Sequence, residues 1–330
     1  MKKHKVWLLH LILPGRYGRL LTAGMLLLVL LPLFALGTVK GGENNPPVLF
    51  FSLIIAYIIP VFSFITARAR DALDDLRPLL TIEPEEFFAK RQSLDSLSPQ
   101  ESLLWLACAA FAALCHMVFM RGSFGAAITS TFSNMAGFMS SAGSLLTWIV
   151  MTTVIVKLIQ QAMIFSSLGA NRVRVSLINF ESLLPFGRVA ITASLAVIGA
   201  LALFPLINTG DSVHLSESVP GAVAVLFPLL VMFVIPVWPL HRRLRRLKEA
   251  ELLRVNAEIS RKSQGHSVGL PPEQALAVLS PLLTYRHEIA KTPTWPFDLG
   301  NVARLFFYLI IIPLTWIGAA LIENVVDAFL

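Results

Sequence analysis

Charge is what this sequence has least of. Only 14% of its 330 residues are Asp, Glu, Lys or Arg, against about 25% in soluble globular domains. That is too little to coat a water-facing surface, so a pair of soluble domains is excluded. Cysteine is nearly absent. Cys108 and Cys115 lie seven residues apart in one apolar segment, about 10 Å along a helix and too far for a disulfide. Catalytic signatures are missing too: there is no P-loop, GxSxG, HExxH or glycine-rich dinucleotide fingerprint. His116 beside Cys115 lacks metal-ligand spacing and reads as a packed histidine. No cofactor or metal is expected, and the pattern leans away from an enzyme.

What fills the chain instead is hydrocarbon-length sequence, 55% hydrophobic overall. Seven apolar runs are long enough to cross a bilayer: about 20–38, 48–67, 99–120, one within 138–168, 189–207, 220–240 and 302–322. The expected fold class is therefore all-α, a polytopic transmembrane bundle with cytoplasmic amphipathic helices. Residues 1–240 hold six spans and a polar loop at 68–98, residues 241–299 form a cytoplasmic helical excursion, and 300–330 carry the last span. The run from Leu20 exceeds the ~7–15 apolar residues of a signal peptide and reads as a retained first span. Val6 to Leu13 is too short to cross and is expected to lie at the interface. Residues 121–143, rich in Gly, Ser, Thr and Met, suit an outer loop or a helix packed by small residues.

The basic residues orient the bundle. Segments 1–19, 68–101, 171–188 and 241–305 hold 24 of the 27 Lys and Arg. With the N-terminus inside, all four are cytoplasmic and the C-terminus faces out. The net charge of +7 then reflects anionic lipid headgroups rather than nucleic acid.

Local signals mark helix starts. Ser98-Pro99-Gln100-Glu101 is a capping box, and Pro84 followed by Glu85 and Glu86 opens a shorter helix. Leu244, Leu247, Leu252, Val255 and Ile259 share one face of a basic helix starting near His241. Arg242, Arg243, Arg245 and Arg246 on it are candidates for contact with lipid phosphates or with a partner protein. In the string TWPFDLG, Trp295, Phe297 and Asp298 are interface anchors for the last span, with Asp298 as its N-cap.

Two features suit a polar pathway. Pro228 and Pro236 interrupt span six, and broken helices line many transport routes, although kinking alone is also common in membrane helices. Lys157, with Gln160 and Gln161 one turn on, is an ionisable group within a span. If that span begins near Gly137, Lys157 sits at the inner boundary and snorkels; if Trp148 marks the outer interface, Lys157 lies near mid-membrane. Asp71, Asp74 and Asp75 could hold a divalent ion on a lipid diphosphate, but such enzymes need a second acidic cluster, and the sequence has none.

Three strings carry a likeness. ANRVRVSLINFESLLPFGRVA, HRRLRRLKEAEL and TWPFDLGNVARLFFYLIIIPLTWIGAALIE resemble a family of uncharacterised bacterial multi-pass inner-membrane proteins with no assigned activity. The resemblance implies a location and no functional residue. The functional expectation is an oligomeric channel or transporter. The alternative is a structural or regulatory membrane subunit that docks a partner through residues 241–299, and a lipid-diphosphate enzyme is the remote third.

Overall fold

The helix starts follow from local chemistry. Ser98 Oγ accepts the Glu101 N–H at 3.2 Å, and Glu101 Oε2 accepts the Ser98 N–H at 2.8 Å. Two backbone donors that the first turn leaves open are thereby satisfied, with Pro99 supplying the first helical φ. Gly122, at φ 77°, ends the same helix in the left-handed conformation. Ser98→Ala removes half of the box and is expected to cost about 1 kcal/mol; a melting curve in detergent, compared with that of the exposed Ser102→Ala, checks it.

The structure, a computed structural model, describes residues 4–36, 48–203, 206, 229–265, 272–297, 300 and 302–311. It is all-α apart from a two-residue ladder pairing β1 (His4–Lys5) with β2 (Ser96–Leu97) in antiparallel register. The helices are α1 (Gly18–Ala35), α2 (Val48–Leu76), α3 (Pro84–Ser93), α4 (Pro99–Arg121) and α5 (Phe124–Ser133). They continue with α6 (Met135–Asn171), α7 (Leu184–Leu201), α8 (Trp238–Gly265), α9 (Pro272–Lys291) and α10 (Val302–Ile311).

Five of these segments are long and apolar enough to cross a membrane: Gly18–Ala35, Val48–Leu79, Pro99–Arg121, Met135–Asn171 and Phe180–Leu201. They coincide with the first five spans read from the sequence. Of the sixth and seventh, residues 229–240 and 302–311 are described, the latter as α10, and the remainder lie outside the described residues. Pro228 and Asp298 also lie outside them. Residues 121–143 are not a plain loop: 135–143 are part of a helix, α6, packed through the small Gly137 and Gly143. Before it α5 turns at Asn134, where the Asn134 side chain caps α6 by accepting the Gly137 N–H at 2.7 Å.

Two apolar cores stack along the bundle. One holds Phe34, Phe51, Ile59, Phe62 and Ile65 with Val150, Val154 and Leu158. The other holds Ala69, Leu73 and Leu76 with Phe165, Leu168, Phe186, Leu240 and Leu244. The chain before α1 is drawn in on one side: Val6, Leu8 and Leu9 are buried in the first core, while Trp7, Leu11 and Leu13 are exposed. The ladder to β2 accompanies that burial, a pairing that hydropathy does not reveal.

Helices α2 and α7 approach closely. Tyr57 donates its hydroxyl hydrogen to the Ala196 carbonyl at 3.1 Å, and a Cβ on Gly199 would stand 2.0 Å from that hydroxyl oxygen. Ala190 and Ser194, one small pair read from the sequence, are fully buried. By contrast α4 touches α6 through buried Ala109 and Ala113 and leaves Leu103, Phe111 and Phe119 exposed.

Candidate functional site

Between the two cores runs a layer of polar side chains. On α2 the apolar series passes from Ile65 to Ala69, and on α6 from Leu158 to Phe165. Thr66, Arg70, Lys157 and Gln161 fill the gap. Lys157 is fully buried, and its Nζ donates to the carbonyls of Ser93 and Ser96 at 2.8 and 2.9 Å and to Gln160 Oε1 at 3.0 Å. An ammonium has three N–H donors, so each has an acceptor. Gln161 Nε2 donates to Leu94 O at 2.8 Å and Thr66 Oγ1 at 3.1 Å. Arg70 pairs with the Asp95 carboxylate, while the Asp95 carbonyl accepts the Val6 N–H at 2.8 Å.

Helix length sets the distance of this layer from the start of α6. From Met135 to Lys157 is about 33 Å at ~1.5 Å per residue, close to the ~30 Å of a hydrocarbon core. The side chain nevertheless turns inward, not to water. The acceptors explain why: Ser93 ends α3, where unpaired carbonyls and the negative end of the helix dipole favour a cation.

A second lysine does the same on the hairpin of α8 and α9. Lys248 Nζ donates to Ala290 O at 2.7 Å and Thr292 O at 2.8 Å, around the end of α9. Neighbouring contacts fix the hairpin to the bundle. Arg243 donates to Val173 O at 2.8 Å, Thr292 Oγ1 donates to Leu177 O at 3.3 Å, and His241 Nδ1 lies 3.1 Å from Thr294 O. Leu244 and Val255 are buried, whereas Leu247 of the same face stays open. Within the hairpin, Glu251 takes hydrogen bonds from Arg254 and Tyr285 at 2.6 and 2.9 Å. Those bonds, Arg254's first, hold its carboxyl below the ordinary glutamate value.

Aromatic rings join the hairpin to the bundle. His241 stacks on Trp295 at 3.8 Å, and Phe297 stacks on Phe233 at 4.9 Å, with Trp295 and Phe297 6.0 Å apart. A Cβ on Gly187 of α7 would lie 1.9 Å from the Pro296 carbonyl oxygen, so only glycine admits this approach. Pro236 is buried in a turn between helical 229–234 and α8. There the proline replaces one N–H of the helical ladder and redirects the chain.

The four arginines separate into distinct settings. Arg243 is engaged with the Val173 carbonyl, and Arg245 is paired with Glu249 at 2.8 Å. Arg242 lies exposed over the Trp238 ring at 5.8 Å, and Arg246 is exposed one turn on. The three aspartates of α2 do not converge on one point. Asp71, Asp74 and Asp75 face Arg68, Arg91 and Arg188 respectively, and no cluster of potential metal ligands occurs among the described residues.

Sequence reading singled out Lys157 and Gln161 and missed Arg70, Asp95, Thr66 and Lys248. Arg70 pairs with Asp95 and Thr66 with Gln161 across long sequence separations, and Lys248 bonds backbone carbonyls, so none of these partnerships carries a local sequence signal. No family model, curated protein or solved structure matches the chain.

Proposed function

We propose that this chain is a non-catalytic subunit of the bacterial inner membrane whose helical hairpin, α8 with α9, is a cytoplasmic dock for a partner protein. The observation that carries this reading is the mounting of the hairpin. Arg243 and Thr292 tie it to the Val173 and Leu177 carbonyls of the bundle, Lys248 locks α8 to the end of α9, and the Trp295–Phe297 segment wedges against α7. Such contacts hold a helical surface at a fixed angle, which lowers the ordering cost of binding. The cytoplasmic placement rests on the Lys and Arg count, and the inner-membrane location on the family resemblance.

Lys157 adds support. Two of its donors hold the Ser93 and Ser96 carbonyls and one goes to Gln160, which favours a packing role over a route for solute. The transport reading keeps one favourable observation, the helix break at Pro236.

Native mass spectrometry of the protein extracted with its own lipids tests the choice. A dock predicts a fixed-ratio complex with a second protein. Arg254→Glu together with Arg261→Glu, on the exposed part of α8, dissolves that complex without a change in assembly of the chain itself. A closed homo-oligomer that conducts ions or solute in liposomes would refute the dock and favour transport.

A further inference from the structure

The mouth of the groove beside Trp238 has the chemistry of a phospholipid site. Ser166 of α6 faces Val234, Ile235, Trp238 and Pro239 across an open groove of about 240 Å³. Four of these five residues are apolar, and Ser166 brings one hydroxyl. Trp238 is 44% exposed at the rim, with Trp295, also partly exposed, 6.0 Å away. The guanidinium of Arg242 lies over the Trp238 ring. Arg246 follows on the same helix face four residues on, also exposed.

The sequence around the groove switches character within one turn. Residues 229–240 are apolar throughout, and residues 241–246 read HRRLRR. A lipid-facing segment that ends in tryptophan and passes at once to arginine is the pattern of a membrane–water interface. The groove also lies on the basic side of the Lys157 layer, since Ser166 follows Lys157 along α6. Its neighbours Arg243 and Arg245 are taken, by Val173 O and by Glu249. Arg242 and Arg246 have no carboxylate within ion-pair distance among the described residues. Arg242 thus stands beside the rim of an apolar groove, with Arg246 one turn further on, and neither has an ion-pair partner among the described residues.

We infer that this groove binds an anionic glycerophospholipid. The phosphate lies between Arg242 and Arg246, and the glycerol and upper acyl chain lie along Val234, Ile235, Trp238 and Pro239. Arginine suits the phosphate because its planar fork presents paired donors. Trp238 serves both halves, its face to the guanidinium and its edge to the chain. The inference is independent of whether the hairpin docks a partner.

The test uses the full-length protein in detergent with phosphatidylglycerol, phosphatidylcholine or inorganic phosphate added. Native mass spectrometry counts retained lipid, and a melting curve reads stabilisation. Wild type is expected to retain phosphatidylglycerol over phosphatidylcholine and to melt higher only with the former. Arg242→Gln/Arg246→Gln is expected to weaken phosphatidylglycerol retention about tenfold or more. Arg261→Gln, near the far end of α8, is expected to behave as wild type. Arg246→Gln alone, which leaves the Arg242–Trp238 contact intact, is expected to give a smaller loss and covers the event that the double variant fails to fold. Equal retention of phosphatidylcholine, an equal loss in Arg261→Gln, or no loss in either groove variant would overturn the site. Stabilisation by inorganic phosphate alone would overturn the lipid and leave a free-anion site.

Discussion

Lys157→Met is expected to melt well below the wild type and to release the N-terminal strand. The substitution keeps most of the side-chain volume and removes the charge and three donors. The Ser93 and Ser96 carbonyls and Gln160 Oε1 then lose a charge-assisted partner in a site closed to water. Hydrogen bonds to charged groups contribute about 1.5–3 kcal/mol each, and stranded acceptors cost more than the bond was worth. A total loss of about 3–5 kcal/mol is expected, because neighbouring groups share the effect. Since residues 95–97 hold β1 and Val6, trypsin should cut after Lys5 faster in the variant. Gln161→Leu, which removes two neutral hydrogen bonds, should fall between the two. If Lys157→Met melts with wild type and its N-terminus stays protected, the lysine does not hold the layer together.

Gly187→Ala is expected to displace the segment before the last span. The added Cβ would fall 1.9 Å from the Pro296 carbonyl oxygen and 2.8 Å from Phe297 Cδ1. Neither α7 nor the proline can give way cheaply, because the first obstacle is backbone. Overpacking of this kind costs about 1–3 kcal/mol where side chains can adjust, and the cost here is expected at or above the upper end. The ring stack at His241, Trp295 and Phe297 should separate. Tryptophan fluorescence would shift to the red and become more accessible to acrylamide. Gly24→Ala on α1, where a Cβ meets nothing within 4 Å, serves as the control. Equal spectra and melting for the two variants would show that residues 295–297 dock elsewhere.

Much of this architecture could be read from composition. Long apolar runs fix helices by length alone, and Ser98 with Glu101 specified a start to the residue. The proline at 236 marked a break because it lacks an N–H. The polar layer was harder. Lys157 and Gln161 stood out as polar groups in a span, but their acceptors are carbonyls more than sixty residues away. Any residue could supply those. The alternation of two cores was equally hidden, since Ile65 and Ala69 look alike in hydropathy and differ only in what faces them. The short N-terminal run showed only part of its packing for a related reason. Its eight residues, seven of them apolar, leave Trp7, Leu11 and Leu13 exposed, while pairing of residues 4 and 5 with 96 and 97 accompanies the burial of Val6, Leu8 and Leu9.

The two-residue ladder has a consequence for biosynthesis. Residues 4–5 leave the ribosome before their partner at 96–97, which emerges some ninety residues later. The lysine that secures that partner comes sixty residues later again. The leading strand therefore waits, unpaired, through insertion of α1, α2 and α4, and closes only when α6 is in place. Because β1, residues 93–97 and Lys157 of α6 meet in one junction, it closes only when all three segments are brought to the same place. A nascent chain that kept any of the three apart could not complete the junction, so this contact forms late in the assembly of the fold.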